Sequence, residues 1–210
     1  MITNGEIAPP APPKATAAQT AGLRMELRRA TRGEHDAAEA AFAPFHAAPA
    51  QHLSWFLGCQ LVALRPLYEL AGRSGAQAEA LIGDLLKALE QDCADRGWHP
   101  EPVAGHGAQT GRDLDGLAID YLVLGSRLGT EVLRRRLMEA ADDPLPAYFA
   151  PRPHKDMWQQ SCRELDAIPA DSLRAKRLID DTRTGFSFFY AAARANPIMI
   201  GTEYSTHSLT

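Results

Sequence analysis

From residue 21 to residue 194, apolar residues recur almost throughout at the three- and four-residue spacing of an α-helix, and strand-like alternation is scarce. A chain patterned this way can bury its apolar stripes only by packing helix on helix. The expected class is therefore all-α, a single-domain helical bundle in which ligands would sit between facing helices. The periodicity predicts helices over about 21–42, 51–72, 76–96, 112–140, 144–149, 154–166 and 171–194. The breaker-rich segments GWHPEPVAGHGAQTG (97–111) and DDPLPAYFAPRPH (142–154) connect them, and no internal repeat interrupts the pattern. With 210 residues the chain suits one domain, at 21–195, long enough to bury a sizeable core. Residues 1–20, rich in Pro and Ala, are expected to be a disordered tail, and residues 196–210 a second tail.

Several classes of function are disfavoured. A formal net charge of -4 gives no electrostatic reason to expect nucleic acid, and the local cluster Arg134, Arg135 and Arg136 reads as a solvated helix end. No apolar run reaches the length of a membrane span, and the N-terminus lacks the basic start and apolar run of a signal peptide, so the expected location is the cytoplasm. Cys59, Cys93 and Cys162 are odd in number and widely spaced, with no CxxC or CxxCH. They signal no disulfide framework, zinc site or covalently attached haem.

Two helices carry features that the bundle alone does not need. In the helix over 112–140, the stripe Leu117, Tyr121, Leu124, Leu128 and Val132 is expected to make the core contact. Gly125 and Gly129 lie beside it, within GSRLGT, each costing about 1 kcal/mol relative to alanine in a helix interior. Small residues four apart serve either close helix packing or a ligand lying against the backbone. Between 121 and 130 there is no His, Cys, Asp or Glu, and Ser126 is the only short polar side chain before Thr130. In the helix over 21–42, Leu23, Leu27, Ala30, Glu34, Ala38 and Ala41 share one stripe, with Arg24, Thr31, His35 and Phe42 at its border and Arg28 and Glu39 just beyond. His35 is either a border histidine bonded to a neighbour or a ligand. Arg28 precedes it by two turns, about 10.5 Å along a continuous helix. That separation suits a flat anionic ligand such as haem, held at its centre by His35 and at its edge by Arg28.

These residues have a family likeness. LRRATRGEHDAAE resembles the helix of haem oxygenases that supplies the proximal histidine, a pattern of the form L-(K/R)-x-x-T-x-x-x-H-x-x-x-E. YLVLGSRLGTEVL is similar to the distal helix of the bacterial members, and His35 and Gly125 stand 90 residues apart, close to the family's separation. The resemblance implies the haem oxygenase fold, with haem b, both substrate and cofactor, sandwiched between a proximal and a kinked distal helix. It implies that His35 is the iron ligand, that Arg28 stands near a haem propionate, and that Glu39 is the acidic residue one turn beyond the histidine. Gly125 and Gly129 match the glycines that let the distal helix lie over the haem. Ser126 falls where mammalian-type members carry a water-organising aspartate. RTGFSFFYAAARANP looks like the last helix, whose aromatics line the pocket, with Phe186 and Phe189 as the candidates. The chain departs from the pattern at Thr130, where a second small residue is usual, at Leu124, where bacterial members often have glutamate, and at Asp120, where the mammalian pattern has tyrosine.

The activity implied is oxidative cleavage of haem to biliverdin, carbon monoxide and ferrous iron, with dioxygen and an external electron donor of the ferredoxin or flavin reductase type. A bilin acceptor such as a phytochrome would be a downstream partner. Thr130, whose β-branched side chain would crowd the distal face beside Gly129, favours the alternative of a haem-binding protein of the same fold that stores, carries or senses haem uncleaved. A relative of the fold with different chemistry would need a nucleophilic cysteine or a core carboxylate cluster.

Overall fold

The computed structural model describes residues 22–103, 113–140 and 144–196. Among them eight α-helices form one bundle, with no strand: α1 Leu23–Ala30, α2 Arg32–Ala41, α3 Ala43–Ala47, α4 Pro49–Ser74, α5 Glu79–Asp95, α6 Gly116–Ala140, α7 Lys155–Asp166 and α8 Leu173–Ala195. A 3-10 turn, Ala147–Phe149, precedes α7. The expected tail over 1–20 lies outside the described residues, as do 197–210.

Helix α4 is the axis of the bundle. Every residue from Trp55 to Leu64 is buried, the signature of a helix surrounded on all sides, and α3, α5, α6 and α8 pack around it. Gly58 has no side chain because the Trp98 indole lies against it; a Cβ there would overlap the ring. Trp98 belongs to the segment leaving α5, which Asn196 ties to the end of α8. The Asn196 side chain accepts from the Glu101 N–H at 2.8 Å and donates back to the Glu101 carbonyl at 3.2 Å, while its own carbonyl accepts from the Trp55 indole. Asn196, expected to open a tail, is thus buried.

A second, smaller core joins Leu23 and Leu27 of α1 to Leu117 and Ala118 of α6, Leu165 of α7, and Ala175 and Leu178 of α8. Leu23 and Leu27 are wholly buried, each contributing ~1.5–3 kcal/mol by removal from water. That anchors the short α1 without help from a capping side chain.

The helix expected over 21–42 is divided. Thr31, with φ -107° and ψ 10°, separates α1 from α2, and its hydroxyl donates to the Leu27 carbonyl at 2.8 Å. A threonine bonding back one turn in this way bends a helix. The continuous-helix rise between Arg28 and His35 therefore does not apply, because they stand on opposite sides of the bend. The chain then turns again at Phe42 into α3, an element that periodicity does not predict.

Buried aspartates fasten the ends of elements. Asp92 accepts from the N–H groups of Ala147 and Tyr148, both at 2.8 Å, holding the 3-10 turn. Asp120, on α6, accepts from Ala78 at 2.8 Å and Gln77 at 3.2 Å, capping the entry to α5. Burial pushes the Asp120 carboxyl up from 3.8 to about 6, against the two backbone donors that favour its charge. Between those two values the folded chain retains a proton that the unfolded chain has released. Stability from this group accordingly rises as pH falls from 6 to 4, by on the order of 2–3 kcal/mol. Denaturant titrations of the wild type and Asp120→Asn across that window should diverge, with the wild type gaining towards acid. Parallel curves would show that Asp120 titrates as it does in the unfolded chain.

Candidate functional site

His35 sits on the outer side of α2, its side chain 49% exposed. Its ring meets the Phe186 ring of α8 edge to face, with centroids 5.6 Å apart and planes at 85°, which fixes its orientation from one side. On the other side, Nδ1 lies 3.4 Å from the Asp36 carboxylate and 3.9 Å from that of Glu39. A ring proton placed on Nδ1, facing those carboxylates, would leave Nε2 as the nitrogen free to bind a metal. The ligand atoms of His35, Asp36 and Glu39 also lie within 4.8 Å of one another, close enough to hold a metal ion. Of the two candidate aromatics, Phe186 touches His35, whereas Phe189 packs, partly buried, against the main core.

Helix α6 runs unbroken through both glycines, and its buried side is not the stripe expected from the sequence. Ile119, Val123, Arg127, Thr130 and Leu137 face the interior. Leu117 and Leu124 are buried, but Leu128 is 50% and Val132 52% exposed. The early turns of α6 are enclosed, with the Tyr121 ring tilted against that of Trp158 of α7, centroids 5.8 Å apart, and Gly185 of α8 packed so closely that a Cβ on it would overlap Leu122. Beyond that point the cover ends. A Cβ on Gly125 would make an ordinary contact with Trp158 at 3.5 Å, and one on Gly129 would meet nothing within 4 Å. Gly125, Leu128, Gly129 and Val132 thus form an apolar, backbone-rich face, open where Gly129 lies.

Thr130 does not crowd that face. It is only 5% exposed, on the interior side, and donates its hydroxyl to the Ser126 carbonyl at 3.0 Å. Ser126 is exposed and donates to the Val123 carbonyl at 2.8 Å, leaving its oxygen lone pairs for a donor from outside. Behind the glycines, the buried Arg127 donates to the Tyr148 carbonyl at 3.3 Å, and its guanidinium carbon stands 5.1 Å from the Tyr148 ring centroid, fastening this turn of α6 to the 3-10 turn.

The two elements meet through α8. Both α2 and α6 pack on α8, with no extensive contact between them. Gly185 touches α6 at Leu122, three residues before Gly125, and the next residue, Phe186, touches His35. Arg28 is exposed on α1. Burial raises the phenol of Tyr121 on α6, and the charges of Arg28 and Arg24 on α1 are among the influences drawing it back.

Of the other histidines, His46 and His99 are exposed, His52 and His154 are partly buried, and 106 and 207 fall outside the described residues. Burial pushes the Cys59 thiol up to about 12 and the Cys93 thiol to about 11, so neither supplies a thiolate nucleophile near neutral pH. Arg134 and Arg135 pair with Glu131, and because α6 runs on to Ala140 with no basic residue in its last turn, this cluster is not the helix end expected of it.

No helix of the described residues is long and apolar enough to cross a membrane. No protein-family model, curated protein or solved structure matches the chain.

Proposed function

We propose that this chain is a haem oxygenase, cleaving haem b to biliverdin, carbon monoxide and ferrous iron with dioxygen and electrons from an external donor of the ferredoxin or flavin reductase type. One observation carries the reading. The histidine motif and the glycine motif, on separate helices 90 residues apart in sequence, flank the same turn of α8, where Phe186 holds His35 and Gly185 seats α6 one turn before Gly125.

The residues present fit haem. Nε2 of His35 would ligate the iron, with the Asp36 and Glu39 carboxylates behind Nδ1 increasing the basicity of the ring and holding its orientation. The open backbone at Gly129 and the exposed Leu128 and Val132 offer an apolar surface for a flat macrocycle. Arg28 supplies the cation for a propionate edge. Bound haem would supply the site of dioxygen binding and reduction, and its own ring is the substrate. The chain contributes steric confinement from the glycine backbone. Ser126 can accept from a water whose protons reach the reacting oxygen, in a stretch with no carboxylate or imidazole to act as a strong acid.

The inward turn of Thr130 removes the feature that favoured a protein binding haem without cleaving it. Adding hemin, then reductant in air, tests the reading directly. The expected result is a stoichiometric complex whose Soret band decays as a red-absorbing bilin appears. A stable ferrous complex would instead identify a non-cleaving haem protein, and absence of binding would end both readings.

A further inference from the structure

We infer that Arg183 is a positioning residue for His35, acting from α8 across the bend between α1 and α2; the inference rests on the haem oxygenase reading of the same site. One guanidinium reaches three places. Its Nη2 donates to the carbonyl of Ala30, the last residue of α1, at 3.0 Å, and its Nε lies 3.2 Å from the carboxylate of Glu34, the residue before His35. Its Nη1 donates to Asp180, one turn earlier on its own helix, at 3.3 Å. The planar fork of arginine suits this arrangement, with separate N–H groups directed at a carbonyl and two carboxylates.

The location gives the clamp its meaning. Thr31 ends α1 with a bend, so the direction in which α2 leaves is not dictated by a continuous helix. Arg183 bridges that bend, with the end of α1 on one side and the first turn of α2 on the other. Three residues further along α8, Phe186 makes the edge contact with the His35 ring. α8 therefore meets the start of α2 at two points one turn apart, the Glu34 carboxylate through Arg183 and the His35 ring through Phe186. Arg183 and Glu34 are each about two-fifths exposed, and an ion pair that accessible contributes little to stability. Its consequence is geometric, as expected of a contact that orients a metal ligand.

The test uses the full chain loaded with hemin, comparing wild type, Arg183→Met and Arg183→Lys. In the wild type, resonance Raman of the ferrous complex should show one iron–imidazole stretching band. Arg183→Met should keep hemin stoichiometry and melting temperature while that band shifts or broadens and turnover falls about 10-fold. Arg183→Lys should restore part of both, because one ammonium reaches Glu34 but cannot also serve Ala30 and Asp180. A Met variant with the wild-type band and wild-type turnover overturns the inference. Should Arg183→Met not fold, Glu34→Gln reads the same clamp from its other end and must shift the same band. A wild type with no iron–imidazole band overturns the oxygenase reading itself, and this inference with it.

Discussion

Replacing His35 with alanine is expected to abolish the proposed iron–imidazole bond and to lower the proposed biliverdin formation by at least about 100-fold, since disturbing a group behind a metal ligand already costs ~10–100-fold. The apoprotein should hardly notice. His35 is half-exposed on α2, its contacts are the Phe186 ring edge and two exposed carboxylates, and alanine is the better helix former. The lost ring contact costs about 1 kcal/mol, which the gain in helix propensity largely offsets. Melting temperature and rate should therefore separate, with the fold intact and the chemistry gone. Hemin is expected to remain weakly associated with the apolar face of α6, with a shifted Soret band, and millimolar imidazole should restore part of the wild-type spectrum by entering the vacated position. Normal turnover in His35→Ala would sink the ligand assignment. A fall in turnover matched by unfolding would assign His35 to structure instead.

How much of this was legible in the sequence depends on what each signal measures. Helical periodicity reports that a segment has an apolar side, and it located α4 to α8 to within a few residues. It does not report which partner covers that side. α6 is apolar nearly all round in its middle turns, so the phase through Leu117, Tyr121, Leu124, Leu128 and Val132 and the phase through Ile119, Val123, Thr130 and Leu137 read equally well. Only the placement of α7 and α8 decides that Leu128 and Val132 are left open. Thr31 is a similar case. A threonine within a helical pattern carries no sign that its hydroxyl will bond back to Leu27 and bend the chain. The expectation that Thr130 would crowd the distal face erred because adjacent helical residues differ by about 100° in direction, enough to turn Thr130 into the core while Gly129 faces outward. Arg183 offered no signal at all. Among 22 Lys and Arg residues, nothing in composition distinguishes the one that reaches across to α1 and α2.

Gly129→Leu should yield a more stable protein that no longer turns over. A Cβ at position 129 meets nothing within 4 Å, so the substitution removes the entropic cost of a helix-interior glycine without a clash, and the apoprotein should gain about 0.5–1 kcal/mol. The same branched side chain would project from α6 into the open space where the proposed haem face lies. Displacing reacting atoms by about 1 Å costs on the order of 100-fold in rate, and a leucine reaches further than that, so dioxygen chemistry should be blocked while hemin remains bound through His35. Gly125→Ala is the informative companion. Its Cβ would rest against the Trp158 ring at 3.5 Å, an ordinary contact, so it should be tolerated in fold and reduce turnover far less. A Gly129→Leu protein that is stabilised and still cleaves haem at the wild-type rate would mean that the open face of α6 is not where the substrate lies. A destabilised one would mean that Gly129 is required for packing, against the empty space around it. Stability and activity moving in opposite directions is the outcome that ties the two glycines to function, because a residue kept for packing alone has no reason to cost the fold energy.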